Sequence, residues 1–194
     1  RAWATVVLVH YQHSFLDDAR RLAEFSGLDQ PSFHMSGTEA VMQAVRLACY
    51  HTGRSKVVRF CGAYHGWWDG VQPGIGNQRA NQDVLTLSEG SPRTLQVLED
   101  RKDIACVLVN PMQLMHLNKD APSDQTLISG QRVNKPQPDQ YRNWLHQLQA
   151  VCAQRGIVFI LDEVFTGFRL ARGGAKEYVG VRPDLITYGK TLGG

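Results

Sequence analysis

The sequence has only four cysteines, and no two of them form a Cys-x-x-Cys pair. Cys49, Cys61, Cys106 and Cys152 stand far apart, mostly among apolar neighbours. That spacing predicts reduced core thiols in a cytoplasmic protein. No apolar stretch approaches the roughly 20 residues needed to cross a bilayer, so no membrane contact is expected. Lys and Arg form no run, and a formal charge of +3 is too small to argue for a nucleic-acid surface. Neither the GxGxxG fingerprint nor the P-loop is present, which weighs against a nucleotide-binding α/β module. There is no internal repeat and no low-complexity tract. The opening "RAWATVVLVH" lacks an initiator Met and is too short for a convincing secretion signal.

Within its 194 residues the chain alternates strand-like and helix-like segments. "SFLDDARRLAEFSG" carries apolar residues at helical spacing and stops at Gly27. "GTEAVMQAVRLACYHTG" does so more clearly: Val41, Ala44, Val45 and Ala48 share one face, and Gly53 ends the segment. Two further helices are expected around Ser91–Arg101 and Pro138–Arg155. "PSFHM" reads as a short strand. "KVVRFC", "DVLTL", "IACVLVN", "IVFILDE" and "DLITYG" read as buried strands. This alternation predicts an α/β fold with a mostly parallel sheet covered by helices on both faces. In such sheets ligands gather at the carboxyl ends of the strands. The polar stretch 116–137, with its Pro and Gly, is expected to be a long loop or insertion.

Four segments carry residues fit for chemistry. In "MSGTEA", Ser36, Gly37 and Thr38 precede a strong helix, where free backbone N–H groups suit a phosphate. The same residues also suit a plain cap, with Ser36 capping and Glu39 reaching back. In "GAYHGWWDG", Tyr64 is placed to lay its ring on a flat heterocycle, and His65 to donate a proton or a hydrogen bond. An aromatic loop packed on the core fits that segment equally well. In "IVFILDEVFTGFR", five apolar residues run into Asp162 and Glu163. A carboxylate there needs a cationic partner, either a protonated pyridine or an arginine such as Arg169. No His or Cys stands at metal-ligand spacing beside the two acids, so no metal is expected. Lys190 follows the last strand candidate, 190 − 162 = 28 positions after Asp162, so both can stand at one edge of a sheet. A lone lysine after a strand is usually a solvated surface residue. Taken together, the phosphate cradle, ring, carboxylate and lysine suit a pyridoxal phosphate site, with lysine as Schiff base and carboxylate on the ring nitrogen.

Two blocks, "SGTEAVMQAVRLACYHTGRSKVVRFCGAYHGWWDG" and "LDEVFTGFRLARGGAKEYVGVRPDLITYGKTLGG", resemble class III aminotransferases, nearest to the glutamate-1-semialdehyde aminotransferase subgroup. The likeness covers most of residues 33–194. It implies the large domain of a fold type I, dimeric, pyridoxal phosphate-dependent enzyme. Residues 1–194 would be a fragment of that domain, ending just past the catalytic lysine and inactive alone. By this resemblance Ser36, Gly37 and Thr38 bind phosphate, and Tyr64 stacks on the ring with His65 in the same loop. Asp162 pairs with the ring nitrogen, Val164 backs the ring, and Lys190 forms the Schiff base. The implied activity is transfer of an amino group from a small-molecule donor to an aldehyde or ketone. Glutamate-1-semialdehyde 2,1-aminomutase and a non-catalytic scaffold subunit are the alternatives. Three departures stand out. Met35 replaces a usual Asn. Asn110-Pro111 replaces a usual Glu-Pro. Phe165 cannot hydrogen-bond a phenolic oxygen as a Gln would. The altered strand end resembles secondary-metabolite aminotransferase domains, including prodiginine-type ones.

Overall fold

The computed structural model describes residues 3–5, 15–72, 77, 82–114 and 138–192. The expected loop at 116–137 lies outside the described residues. Seven strands form one sheet: β1 Trp3–Thr5, β2 Gln30–Ser32, β3 Lys56–Phe60, β4 Val84–Leu87, β5 Ile104–Val109, β6 Val158–Glu163 and β7 Leu185–Tyr188. Their order is β2-β1-β7-β6-β5-β3-β4, and every described pairing is parallel. The five apolar runs become β3 to β7. β1 carries no pattern that the sequence reading used, yet it is an interior strand between β2 and β7. The strand expected in "PSFHM" starts one residue earlier and ends at Ser32. There the chain leaves the sheet, with the Ser32 hydroxyl 2.9 Å from His34 Nε2.

Helices α1 Phe15–Ser26, α2 Gly37–Thr52, α3 Pro92–Asp100, α4 Pro138–Arg155 and the short α5 Ala175–Val179 cover the sheet. Each face has its own core. Val41, Ala44, Val45 and Ala48 of α2 pack on Val57, Cys106, Leu108, Val158 and Ile160. Leu98 of α3 and Trp144, Leu145 and Leu148 of α4 pack on Phe60, Val107, Phe159 and Leu161. Alternation along a strand sends successive side chains to opposite faces, so Val158 and Ile160 put Asp162 on the α2 face. Glu163 falls on the other. α2 carries the chain from β2, on one side of the sheet, across to β3 on the other. Its first turn therefore lies near the carboxyl ends of the strands.

The cysteines divide. Cys106 and Cys152 are buried, and burial pushes the Cys152 thiol up to about 12. Cys49 is half-buried, and Cys61 is exposed just beyond β3, so the expectation of four core thiols fails there.

Candidate active site

Asp162 is 2% exposed and has three donors around its carboxylate. Thr187, its register partner on β7, donates its hydroxyl to Oδ1 at 2.8 Å. The Val164 N–H reaches the same oxygen at 3.2 Å. His65 Nδ1 lies 2.7 Å from Oδ2. A carboxylate oxygen only accepts, so Nδ1 carries the proton. His65 is itself 1% exposed, and its Nε2 is buried with no hydrogen-bond partner. Arg169 plays no part here. Its Nε donates to the Phe165 carbonyl at 2.6 Å, and its guanidinium lies over the Phe165 ring.

Around Asp162 the walls are set by close backbone approach. Ser36 caps α2, its Oγ accepting the Glu39 N–H at 3.2 Å, and Glu39 accepts the Met35 N–H at 2.8 Å. The capping reading of this segment therefore holds, with Glu39 reaching one residue further back than the usual box. A Cβ on Gly37 would come within 2.9 Å of Val164 Cγ1, and one on Gly189 within 3.1 Å of the same atom. Gly66, at φ +91, leaves room for Thr38, whose Oγ1 a Cβ would approach to 2.6 Å. The loop after β3 is tied down from the sheet: Arg59 donates to the Ala63 carbonyl and Asn110 Nδ2 to the Tyr64 carbonyl at 3.1 Å. The Tyr64 ring is left 57% exposed at the rim. Lys190 follows β7 and Gly189 in a left-handed conformation, φ +46, uncommon for a residue with a side chain. Its Nζ lies 5.9 Å from the centre of the Phe165 ring.

Asp162, His65, Tyr64, Asn110 and Lys190 share a cavity of about 800 Å³ at the carboxyl edge of the sheet. Residues 138–194 match the family model "Aminotransferase class-III". The chain is 38% identical over 173 residues to glutamate-1-semialdehyde 2,1-aminomutase of Fusobacterium nucleatum, a match covering 82% of this chain and 36% of that protein. The chain is thus similar to class-III aminotransferases over residues 138–194, and to the aminomutase over most of its own length.

Its fold agrees. The β-phenylalanine aminotransferase of Variovorax paradoxus superposes with a TM-score of 0.73 at 29% identity, covering 96% of this chain and 39% of that one. An omega-transaminase of Sphaerobacter thermophilus gives 0.73 at 26% identity, covering 93% and 42%. The chain thus spans about two fifths of the length of these relatives. Of the residues singled out in the sequence, Gly37, Thr38, Tyr64, His65, Asp162, Val164 and Lys190 line the one cavity. Ser36 does not; it is exposed and occupied as the helix cap. Thr187 escaped the sequence reading, although the alternation along β7 places it on the Asp162 face. The His65–Asp162 pair spans 97 positions and has no local signal. Among the described residues no group of three or more His, Cys, Asp or Glu side chains could hold a metal ion, and no helix is long and apolar enough to cross a membrane.

Proposed function

We propose that this chain carries the cofactor site of a pyridoxal phosphate-dependent aminotransferase that moves an amino group onto an aldehyde or ketone. The observation that carries this reading is a buried carboxylate, Asp162, held by three donors one strand away from Lys190, in one cavity with the first turn of α2. The cavity suits the cofactor in several respects. The start of a helix offers N–H groups to a phosphate, and Gly37 and Thr38 line the cavity there. Val164 gives an apolar seat fixed between Gly37 and Gly189. Tyr64 supplies an exposed ring for stacking. Two buried polar atoms, His65 Nε2 and Asn110 Oδ1, have no protein partner.

When bound, pyridoxal phosphate supplies an electrophilic aldehyde carbon and an electron-accepting ring. Lys190 Nζ is the amine that bonds that carbon. The same Nζ would be the group that takes up and returns the proton during transfer. Asp162 holds a negative charge for the ring nitrogen, and Thr187, His65 and the Val164 N–H keep its carboxylate in one orientation. Gly37 and Thr38 hold the phosphate, with Ser36 maintaining the helix start.

A second reading, the intramolecular amino shift of glutamate-1-semialdehyde, is favoured by the name of the Fusobacterium relative. Formation of 5-aminolevulinate from glutamate-1-semialdehyde by the intact protein separates the two. The cofactor reading itself is tested by borohydride reduction followed by peptide mass mapping. The label should appear on Lys190; a label elsewhere, or none, removes the proposal.

A further inference from the structure

Asn110 follows β5 much as Asp162 closes β6. The register sets Val109 opposite Leu161, so the next positions, Asn110 and Asp162, are neighbours. Cys106 and Leu108 share the α2 face with Val158 and Ile160, which places Asn110 on the Asp162 face. Adjacent strands are roughly 4.8 Å apart. Asn110 is 9% exposed and lines the cavity. The Tyr64 carbonyl can only accept, so the nitrogen end of the Asn110 amide must face it. That leaves Oδ1 buried without a partner, and one amide hydrogen uncommitted. Phe165, elsewhere on the cavity wall, has only an apolar ring to offer.

From this placement we infer that Asn110 is the hydrogen-bond partner of the cofactor's ring hydroxyl. The inference rests on the pyridoxal phosphate reading above. In that molecule the hydroxyl and the phosphate arm lie on opposite sides of the axis from ring nitrogen to aldehyde carbon. Here Gly37 and Gly189 both pack against Val164, towards β6 and β7, whereas Asn110 lies on the β5 side of Asp162. A phosphate at α2 and a nitrogen at Asp162 therefore turn the hydroxyl towards Asn110. The amide suits it in either protonation state, because Oδ1 accepts from a phenol and Nδ2 donates to a phenolate. Asn110 takes over a contact that a phenylalanine at 165 cannot make.

The test is a binding cycle on the intact protein by calorimetry, with pyridoxal phosphate and its 3-deoxy analogue, which lacks the hydroxyl, each titrated into wild type and Asn110→Leu. The ratio of the two affinities should fall about tenfold in the variant, the size of one hydrogen bond to a charged or strongly polar group. Because the two ligands are compared on the same variant, a general loosening cancels. Asn110→Ser gives the same comparison if the leucine variant does not fold. Equal weakening of both ligands would mean that Asn110 acts only through the Tyr64 carbonyl, and would overturn the inference. An unchanged ratio would overturn it too. If wild type binds neither ligand, the cofactor reading fails instead.

Discussion

At the scale of single residues, the two adjacent acids of β6 do different things because they face opposite ways. Asp162 has its hydrogen-bond donors in place from within the chain. Asp162→Asn should therefore fold: Asn Oδ1 can still accept from Thr187 and Val164, and His65 can turn its bare nitrogen towards the new amide by changing tautomer. What disappears is the charge offered to a ring nitrogen. Single-turnover conversion of bound pyridoxal phosphate to pyridoxamine phosphate should slow about a hundredfold, about 2.7 kcal/mol in the barrier. The melting curve should stay close to wild type, and a wild-type rate in this variant would make Asp162 a structural acid. Glu163, by contrast, is 0% exposed and anchors the start of α5, accepting from Ala175 N at 2.6 Å, Lys176 N at 3.1 Å and the Thr166 hydroxyl at 3.3 Å. Burial raises its pKa above the ordinary 4.5, outweighing those hydrogen bonds. A carboxyl with a raised folded-state pKa binds its proton more tightly when folded. Its contribution is complete below 4.5 and is lost as pH rises through the raised value. Urea unfolding from pH 4.5 to 8 should thus show wild type losing stability relative to Glu163→Gln as pH rises. A pH-independent difference would mean that the hydrogen bonds offset burial fully.

At the scale of elements, α2 is the piece whose placement decides the cavity. Its buried side carries three alanines, Ala40, Ala44 and Ala48, which let the helix lie close to the sheet. Its first residue, Gly37, has no room for a side chain because of Val164. Alanine is the better helix former by about 0.8–1.0 kcal/mol, so propensity alone says that Gly37→Ala should stabilise. The opposite is expected: Val164 is branched at Cβ and stiff, and overpacking of this kind costs about 1–3 kcal/mol. Adding Val164→Ala should return most of that loss in a thermal melt, whereas additive losses would show that the two side chains do not meet. The helix and its buried face were legible from the sequence, because sixteen residues of 3.6-fold periodicity end in a cap and a glycine. The five long strands were legible because each is a run of apolar residues. The pieces that escaped lack such signals. β1 is three residues long and α5 five, too short for any period to register. The sequence reading gave Asp162 a cationic partner; within the chain it meets Thr187, the Val164 N–H and His65, and Arg169, nearby in sequence, points to the Phe165 carbonyl instead. Proximity along the chain says little about which distant loop a parallel sheet brings to a strand end, and His65 arrives from such a loop.

At the scale of the whole molecule, the sheet has a division of labour between its two edges. The carboxyl edge holds the cavity, with exposed Tyr64 and Lys190 and a left-handed lysine. Features of that kind cost stability and persist where a site needs them. The amino edge is tied together instead. Arg54, just after the α2 cap, sends Nη1 to three carbonyls at once: Ile104 at the start of β5, Arg155 at the end of α4, and Gly156 in the turn before β6, at 3.0, 3.0 and 3.1 Å. One guanidinium thereby joins helices from both faces to the strands between them, and its charge also complements the carbonyl end of α4. Arg54→Met keeps the apolar stem but removes every donor, leaving these carbonyls to water where water can reach. Charged hydrogen bonds of this kind are worth about 1.5–3 kcal/mol, and partial exposure puts the expected loss near the lower end. Because α2 runs from this edge to the cavity, a loose anchor could in principle disturb the far end. The packed Val41, Ala44, Val45 and Ala48 between the two ends argue against that, since a well-packed helix moves as a unit. The intact Arg54→Met protein should therefore melt earlier while binding pyridoxal phosphate with unchanged affinity at temperatures well below the transition. If affinity falls in step with stability, the amino-edge clamp is part of the site, and α2 transmits strain along its length.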